Sequence, residues 1–153
     1  MAVISALAEG WKTILVVDDD PFLSDFVRRI LIRASYRCII SSEAMAGLDA
    51  AQKYRPDCIL LDLSMPEIDG FAFLECKQAS ADIEDIPVIV LSALHRDADV
   101  QRAMKLGARG YVTKPVNDKA LLTRLERIVP NPIYGQRPTT RVIWQATGAK
   151  TLI

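Results

Sequence analysis

The chain has 153 residues, half of them hydrophobic and a quarter charged, the make-up of one ordinary globular domain with enough length for a proper core. Its formal net charge is zero, so no overall field directs it to nucleic acid or to an anionic membrane. No apolar run reaches membrane-spanning length. Cys38, Cys58 and Cys76 are odd in number and lack metal-ligand spacing, which points to free thiols in a reducing cytosol rather than a disulfide or zinc framework.

Residues 1–10 are apolar but short and have no basic start, so they read as an N-terminal extension and not a signal peptide. Thr13-Ile14-Leu15-Val16-Val17 is a first apolar strand that ends in Asp18-Asp19-Asp20. Asp20 suits a helix N-cap and Pro21 the first helical position. Leu23, Phe26, Val27, Ile30 and Leu31 then repeat at helical spacing and form one apolar face. Tyr36 to Ile40 is a second strand. Ser42 is placed to cap a helix with Ala44, Leu48 and Ala51 facing inward, ending before Pro56.

Cys58-Ile59-Leu60-Leu61 is the central strand, short because Pro56 and Pro66 bound it, and it ends abruptly at Asp62. A helix follows from about Phe71 to Ala79, with Phe71 and Leu74 on its buried side. Pro87 to Leu91 is a fourth strand ending at Ser92. Asp97 opens a helix carrying Val100, Ala103 and Met104, and Gly107 reads as the residue just past its C-cap. Arg109 to Thr113 is a fifth strand ending at Lys114-Pro115. Asn117 caps a last helix bearing Leu121, Leu122, Leu125 and Ile128, and Pro130 stops it. Five strands alternating with five helices predict a doubly wound α/β fold with a parallel sheet. No Gly-rich phosphate loop follows the first strand, which argues against a dinucleotide or P-loop protein.

Strands one, three, four and five end in Asp18-Asp19, Asp62, Ser92 and Lys114. Taken singly, each is explained as a turn, a cap or an exposed side chain. In a parallel sheet all four ends lie on one edge, where open α/β sheets bind ligands. Crowded carboxylates need a counter-charge. A hard divalent cation such as Mg²⁺, with Mn²⁺ as a substitute, supplies it through oxygen ligands. Lys114 adds a compact positive charge suited to a phosphoryl oxygen, and Ser92 a hydroxyl. Such a clamp fits in-line phosphoryl transfer onto a carboxylate, with Asp62 as the nucleophile.

From Trp11 to Val129 the chain resembles the receiver domain of response regulators, the phosphorylatable module of two-component signalling. The resemblance rests on Ile14 to Pro21, on Leu61-Asp62-Leu63-Ser64-Met65-Pro66 with Asp69-Gly70, on Leu91-Ser92-Ala93, and on Gly107 to Pro115. It implies a flavodoxin-like, five-stranded parallel sheet in the order 2-1-3-4-5. It implies that Asp19 and Asp62 hold Mg²⁺ directly, with Asp18 acting largely through water and the Ser64 backbone carbonyl as a further ligand. It implies that Asp62 is the phosphoacceptor for a histidine kinase or phosphotransfer protein, and that the chain is a switch and not a turnover enzyme. Ser92 and Tyr111 would be the switch pair, read through the face of helix four, strand five and helix five. Pro115 would follow a cis bond. Ser64 and Leu94 would flank the path of the hydrolytic water and tune the lifetime of the phosphoryl group. His95, the only histidine, reads as a surface residue after the fourth strand.

Two other readings are weighed against this one. A haloacid-dehalogenase-like aspartyl-phosphate phosphatase would use the same residue types, and Asp18-x-Asp20 fits its motif. Phe22 after Pro21 departs from that family, and no later acid pair or cap domain is visible. A pseudo-receiver that only binds partners has nothing in its favour, since all five active-site residues are present.

Residues 130–153 form a tail or linker remnant. The 24 residues after Val129 are too few for a DNA-binding domain. The expectation is a cytoplasmic stand-alone receiver, or one cut from a longer chain, with a downstream protein target or a missing output domain and no nucleic-acid contact of its own. The tail carries Arg137, Arg141 and Lys150 and no acid, so it is +3 against −3 for the rest. Thr140 to Ala146 is β-prone. Residues 139–146 are expected to dock on a receiver surface, in the same chain or in a homodimer, with Trp144 as anchor. A disordered linker is the competing expectation.

Overall fold

The structure is a computed structural model that describes residues 11–131, 142–145 and 150–152. Strands β1 (Thr13–Val17), β2 (Arg37–Ser41), β3 (Cys58–Leu61), β4 (Val88–Ser92) and β5 (Gly110–Thr113) alternate with helices α1 (Pro21–Arg33), α2 (Ala44–Tyr54), α3 (Gly70–Gln78), α4 (Asp97–Lys105) and α5 (Asp118–Ile128). The five strands are parallel and lie in the order 2-1-3-4-5, the flavodoxin-like arrangement. Two more strands, β6 (Val142–Gln145) and β7 (Lys150–Leu152), widen the sheet beyond β2. β6 runs parallel to β2 with Cys38 opposite Ile143, and β7 returns antiparallel to β6. Of the segment expected to dock, residues 142–145 therefore do so as a strand. Residues 139–141 and 146, the side chain of Trp144 and the extension 1–10 lie outside the described residues.

The strands alternate strictly between two cores, as the two-residue period of a strand requires. Leu15, Val17, Ile59, Leu61, Val88 and Val90 pack with α2, α3 and α4. Ile14, Val16, Cys58, Leu60, Ile89 and Leu91 pack with α1 and α5. Both faces are thus covered, which is why the central strand reads as a continuous apolar run.

Caps fix where the helices start. Asp20 Oδ1 accepts from the N–H groups of Phe22 and Leu23 at 2.9 and 3.3 Å. Asp69 does the same for Ala72 and Asn117 for Ala120, at 2.9 and 3.1 Å. Gly107, just past the C-cap of α4, has φ +96, a left-handed conformation that suits glycine.

Three local expectations differ. The α2 N-cap is Glu43, without a side-chain cap bond, and not Ser42; the Ser41 hydroxyl donates to Glu43 O at 2.9 Å instead. Phe26 is 46% exposed and Met104 45%. Helical spacing admits each to the flank of its apolar face, but Val27, Ile30, Leu31 and Ala103 already fill the contact with the sheet.

The start of β2 is tied to the end of α5. The Tyr36 hydroxyl donates to Val129 O at 2.9 Å, and Asn131 Nδ2 donates to Ala34 O and Ser35 O, both at 2.9 Å. All three cysteines are free. Cys38 and Cys58 are buried in strands, and burial pushes both thiols up to about 12; Cys76 is exposed on α3. Among the described residues no helix is long and apolar enough to cross a membrane.

Candidate functional site

Strand order reverses at β1, which has β2 on one side and β3 on the other. The crossover helices leave to opposite faces there and open a crevice at the carboxyl ends of the strands. Asp18 and Asp19 follow β1 directly, and Asp62 follows β3. One carboxylate oxygen from each of these three lies within 4.8 Å of the others. Asp18 and Asp62 are buried, each about 3% exposed, while Asp19 faces solvent.

The backbone orients the two buried carboxylates. Asp20 N–H donates to Asp18 Oδ1 at 2.9 Å, and Ser64 N–H donates to Asp62 Oδ1 at 3.1 Å. Their other oxygens face Lys114, whose Nζ lies 3.0 Å from Asp18 Oδ2 and 3.4 Å from Asp62 Oδ2. One ammonium thus serves two buried acids, and Asp19 adds a third negative charge. Burial above all, with the Asp62 charge beside it, raises the pKa of Asp18 despite the opposing pull of the Asp20 N–H and Lys114. Burial by itself would lower the pKa of Lys114, but the two carboxylates outweigh it and the value is raised. The site therefore holds more negative charge than its protein partners comfortably neutralise.

Lys114 N–H donates to Ser92 O at 2.9 Å, which ties the ends of β4 and β5 together. The Lys114–Pro115 bond that follows is cis. Ser92 is fully buried, and its Oγ accepts from Leu94 N–H at 3.1 Å. The Tyr111 hydroxyl donates to Leu94 O at 2.5 Å, and its half-buried ring packs against the core. Burial raises its pKa against a lowering contact with Ser92. Ser92 and Tyr111 thus meet through the loop at Leu94. Leu94 is half-buried, Ser64 is exposed, and His95 is exposed with its Nδ1 3.1 Å from Ala93 O.

Asp20 is spent on capping α1, so the second acid of the Asp-x-Asp pattern points at a helix end and not at the carboxylate cluster. This removes the main support for the phosphatase reading.

Sequence reasoning passed over the role of Gly70. A Cβ there would lie 2.4 Å from Asp62 O and 2.6 Å from Leu63 Cα. Only glycine lets the first turn of α3 approach the strand end that carries Asp62. The sequence reading starts this helix at about Phe71, whereas Gly70 is its first residue, and nothing local in the sequence signals the close approach. Also missed was Phe22, 86% exposed, one residue into α1 from the acidic loop.

A family model described as the response regulator receiver domain matches residues 14–126. The chain is 34% identical over 116 residues to the DNA-binding dual master transcriptional regulator RpaA of Synechocystis, covering 76% of this chain and 48% of that protein. It is 33% identical over 121 residues to the chemotaxis protein CheY of Treponema pallidum, covering 76% of this chain and 81% of that protein. It thus spans about half the length of the first relative and most of the second. Among solved structures, the chemotaxis protein CheY4 of Vibrio cholerae matches with a TM-score of 0.74 at 28% identity, over 78% of this chain and 99% of that one.

Proposed function

Since the chain belongs to the response-regulator receiver family, we propose that its body, residues 11–129, is a Mg²⁺-dependent phosphoacceptor switch of a two-component or phosphorelay pathway. The observation that carries this reading is the buried Asp62 carboxylate, 3.4 Å from Lys114 Nζ and within 4.8 Å of Asp18 and Asp19. The donor set fits a hard divalent cation: it is all oxygen, and the pKa of Asp18 is raised by burial and a like charge, which a cation would relieve. Asp18, Asp19, Asp62 and the Ser64 carbonyl would hold it, with Mn²⁺ as an alternative. When bound, the cation supplies positive charge against the oxygens of the incoming phosphoryl group.

The phosphoryl donor is a phosphohistidine of a kinase or phosphotransfer protein. One Asp62 oxygen forms the new O–P bond as the donor's N–P bond breaks, and the imidazole leaves with the electron pair. Lys114 stays as the charge partner of the transferred group. The exposed Phe22 and Phe26, one helical turn apart beside the crevice, offer an apolar contact to a protein donor. Ser92 Oγ accepts from Leu94 N–H, so its own proton is available for a phosphoryl oxygen. Drawing Ser92 toward that oxygen tightens the Leu94 loop on Tyr111, and the face of α4, β5 and α5 changes population between two states. Leu94 is apolar and excludes the attacking water rather than positioning it, and Ser64 offers no amide to help, so the acyl phosphate is long-lived. The switch is cytoplasmic and acts on a downstream protein or an attached output domain, with no nucleic-acid contact of its own.

The test is labelling by acetyl phosphate with and without Mg²⁺. Label should need the cation and disappear in Asp62→Asn. Label retained in that variant would overturn the assignment, and no label on the wild type would leave a phosphorylation-independent interaction module.

A further inference from the structure

The outer edge of β2 is where the sheet departs from the five-strand expectation, and the hydrogen-bond alternation along β2 says which groups that edge presents. Arg37 N–H donates to Lys12 O at 2.9 Å, and Ser41 O accepts from Asp18 N–H at 3.0 Å. The odd residues of β2 therefore address β1. Backbone groups of a strand alternate sides, so the N–H and C=O groups of Cys38 and Ile40 point away from β1, toward β6. Without β6 they would form an unpaired edge, a template for any extended chain.

The register identifies the complementary residue. Cys38, Ile39 and Ile40 lie opposite Ile143, Trp144 and Gln145. In a parallel ladder with that pairing, the even residues of β6 address β2: Trp144 N–H meets Cys38 O, Trp144 C=O meets Ile40 N–H, and Val142 C=O faces Cys38 N–H. The geometry points to the outer edge of β2 as a peptide-binding surface that takes an extended segment running parallel to it, occupied in the same chain by β6 as a guard that a competing strand can replace.

Three observations favour occupation within one chain. Asn131 is held at the approach to β2 by its bonds to Ala34 O and Ser35 O. Val142 is eleven residues further on, and extended chain spans about 3.3–3.6 Å per residue, far more than the step from Ser35 to the Cys38 edge requires. A short tether of this kind presents its own strand at an effective concentration on the order of millimolar. The tail is also +3 against a body of −3, so the body attracts it. β7 then becomes the free edge, only three residues long and beginning with Lys150, a short charged edge that discourages further pairing. The surface stands independently of the phosphoacceptor reading, since it lies in the backbone of β2 and not in the acidic crevice.

Amide hydrogen exchange of the full chain, resolved by residue, tests it. The N–H groups of Cys38 and Ile40 should be protected in the wild type, with no dependence on protein concentration. Trp144→Pro deletes the N–H that meets Cys38 O and should speed exchange at Cys38 and Ile40 by about tenfold or more. Ile39, whose N–H addresses β1, should keep its protection and so report that the variant is folded. A synthetic peptide of residues 140–153 added to this variant should restore protection at Cys38 and Ile40. The inference is overturned by unprotected Cys38 and Ile40 in the wild type, by a variant with unchanged exchange, by a peptide that restores nothing, or by wild-type protection that appears only with dimer formation.

Discussion

Asp18→Asn should make the metal-free protein more stable while removing its response to Mg²⁺. Asn keeps the shape and the acceptor for Asp20 N–H, so the change is one of charge. At an effective dielectric of about 20, the Lys114 attraction at 3.0 Å is worth about 5–6 kcal/mol. The Asp62 repulsion, at no more than 4.8 Å, is about 3–4 kcal/mol in the opposite sense. Asp19 faces solvent, so its repulsion is screened to about 1 kcal/mol. These nearly cancel, and the several kcal/mol of effective desolvation for a buried carboxylate tips the balance against the charge. That is the direction in which the Asp18 pKa moves, with burial as the leading cause.

Much of that penalty is relaxed by motion and water, so a gain of about 1–2 kcal/mol is expected, or about 3–8 °C in Tm for a domain of this size. Thermal unfolding in EDTA at pH 7 measures it. A pKa raised in the folded state makes the charged form a cost above that value, and the cost vanishes below the unfolded value of 3.8. The advantage of the variant should therefore shrink as pH is lowered toward 4. With Mg²⁺ at a hundredfold excess over its dissociation constant the wild type should gain about 2.7 kcal/mol, and the variant far less. A variant that unfolds earlier in EDTA, or gains as much from Mg²⁺ as the wild type, would refute the charge argument.

Leu94→Glu should shorten the half-life of the aspartyl phosphate by placing a polar group where Leu94 excludes water; equal half-lives on phosphate release would refute this. Ser92→Ala should accept phosphate from acetyl phosphate but lose most of the affinity change for a partner, measured by titration with and without a phosphoryl mimic. Gly70→Ala forces a Cβ against the Asp62 carbonyl at 2.4 Å, and chemical denaturation should show a loss of about 1–3 kcal/mol or more, together with slower labelling. Phe22→Ser should slow transfer from a phosphohistidine protein several-fold and leave acetyl phosphate labelling unchanged, because the small donor does not touch α1.

Much of the molecule was legible because its signals are local and redundant. The apolar runs at β1, β3 and β4 are buried on both faces, so composition alone marks them. Asp20, Asp69 and Asn117 cap helices as their position before an apolar period requires. The site was legible because parallel strands put every carboxyl end on one edge, which turns four distant residues into neighbours. What was not legible depends on packing between elements. Phe26 and Met104 have helical spacing, yet the sheet beneath has no room for them. Gly70 is explained by a carbonyl eight residues away in sequence. The placement of Tyr111 depends on an acceptor supplied by Leu94 in another loop. The β-prone character of the tail is local, but the edge it joins, the outer side of β2, depends on a strand about a hundred residues away in sequence.

The distribution of the three thiols makes the native chain its own spectroscopic reagent. Cys38 and Cys58 are sealed in strands with thiols pushed up to about 12, while Cys76 stands exposed on α3. A maleimide dye should therefore add once to the folded protein, at Cys76, without engineering. α3 begins at Gly70 against the Asp62 carbonyl, so the dye rides on the helix whose first turn adjoins the acidic cluster. The same contrast gives a stopwatch for unfolding: one exposed thiol takes the dye at once, and labelling of the other two times the opening of the sheet itself.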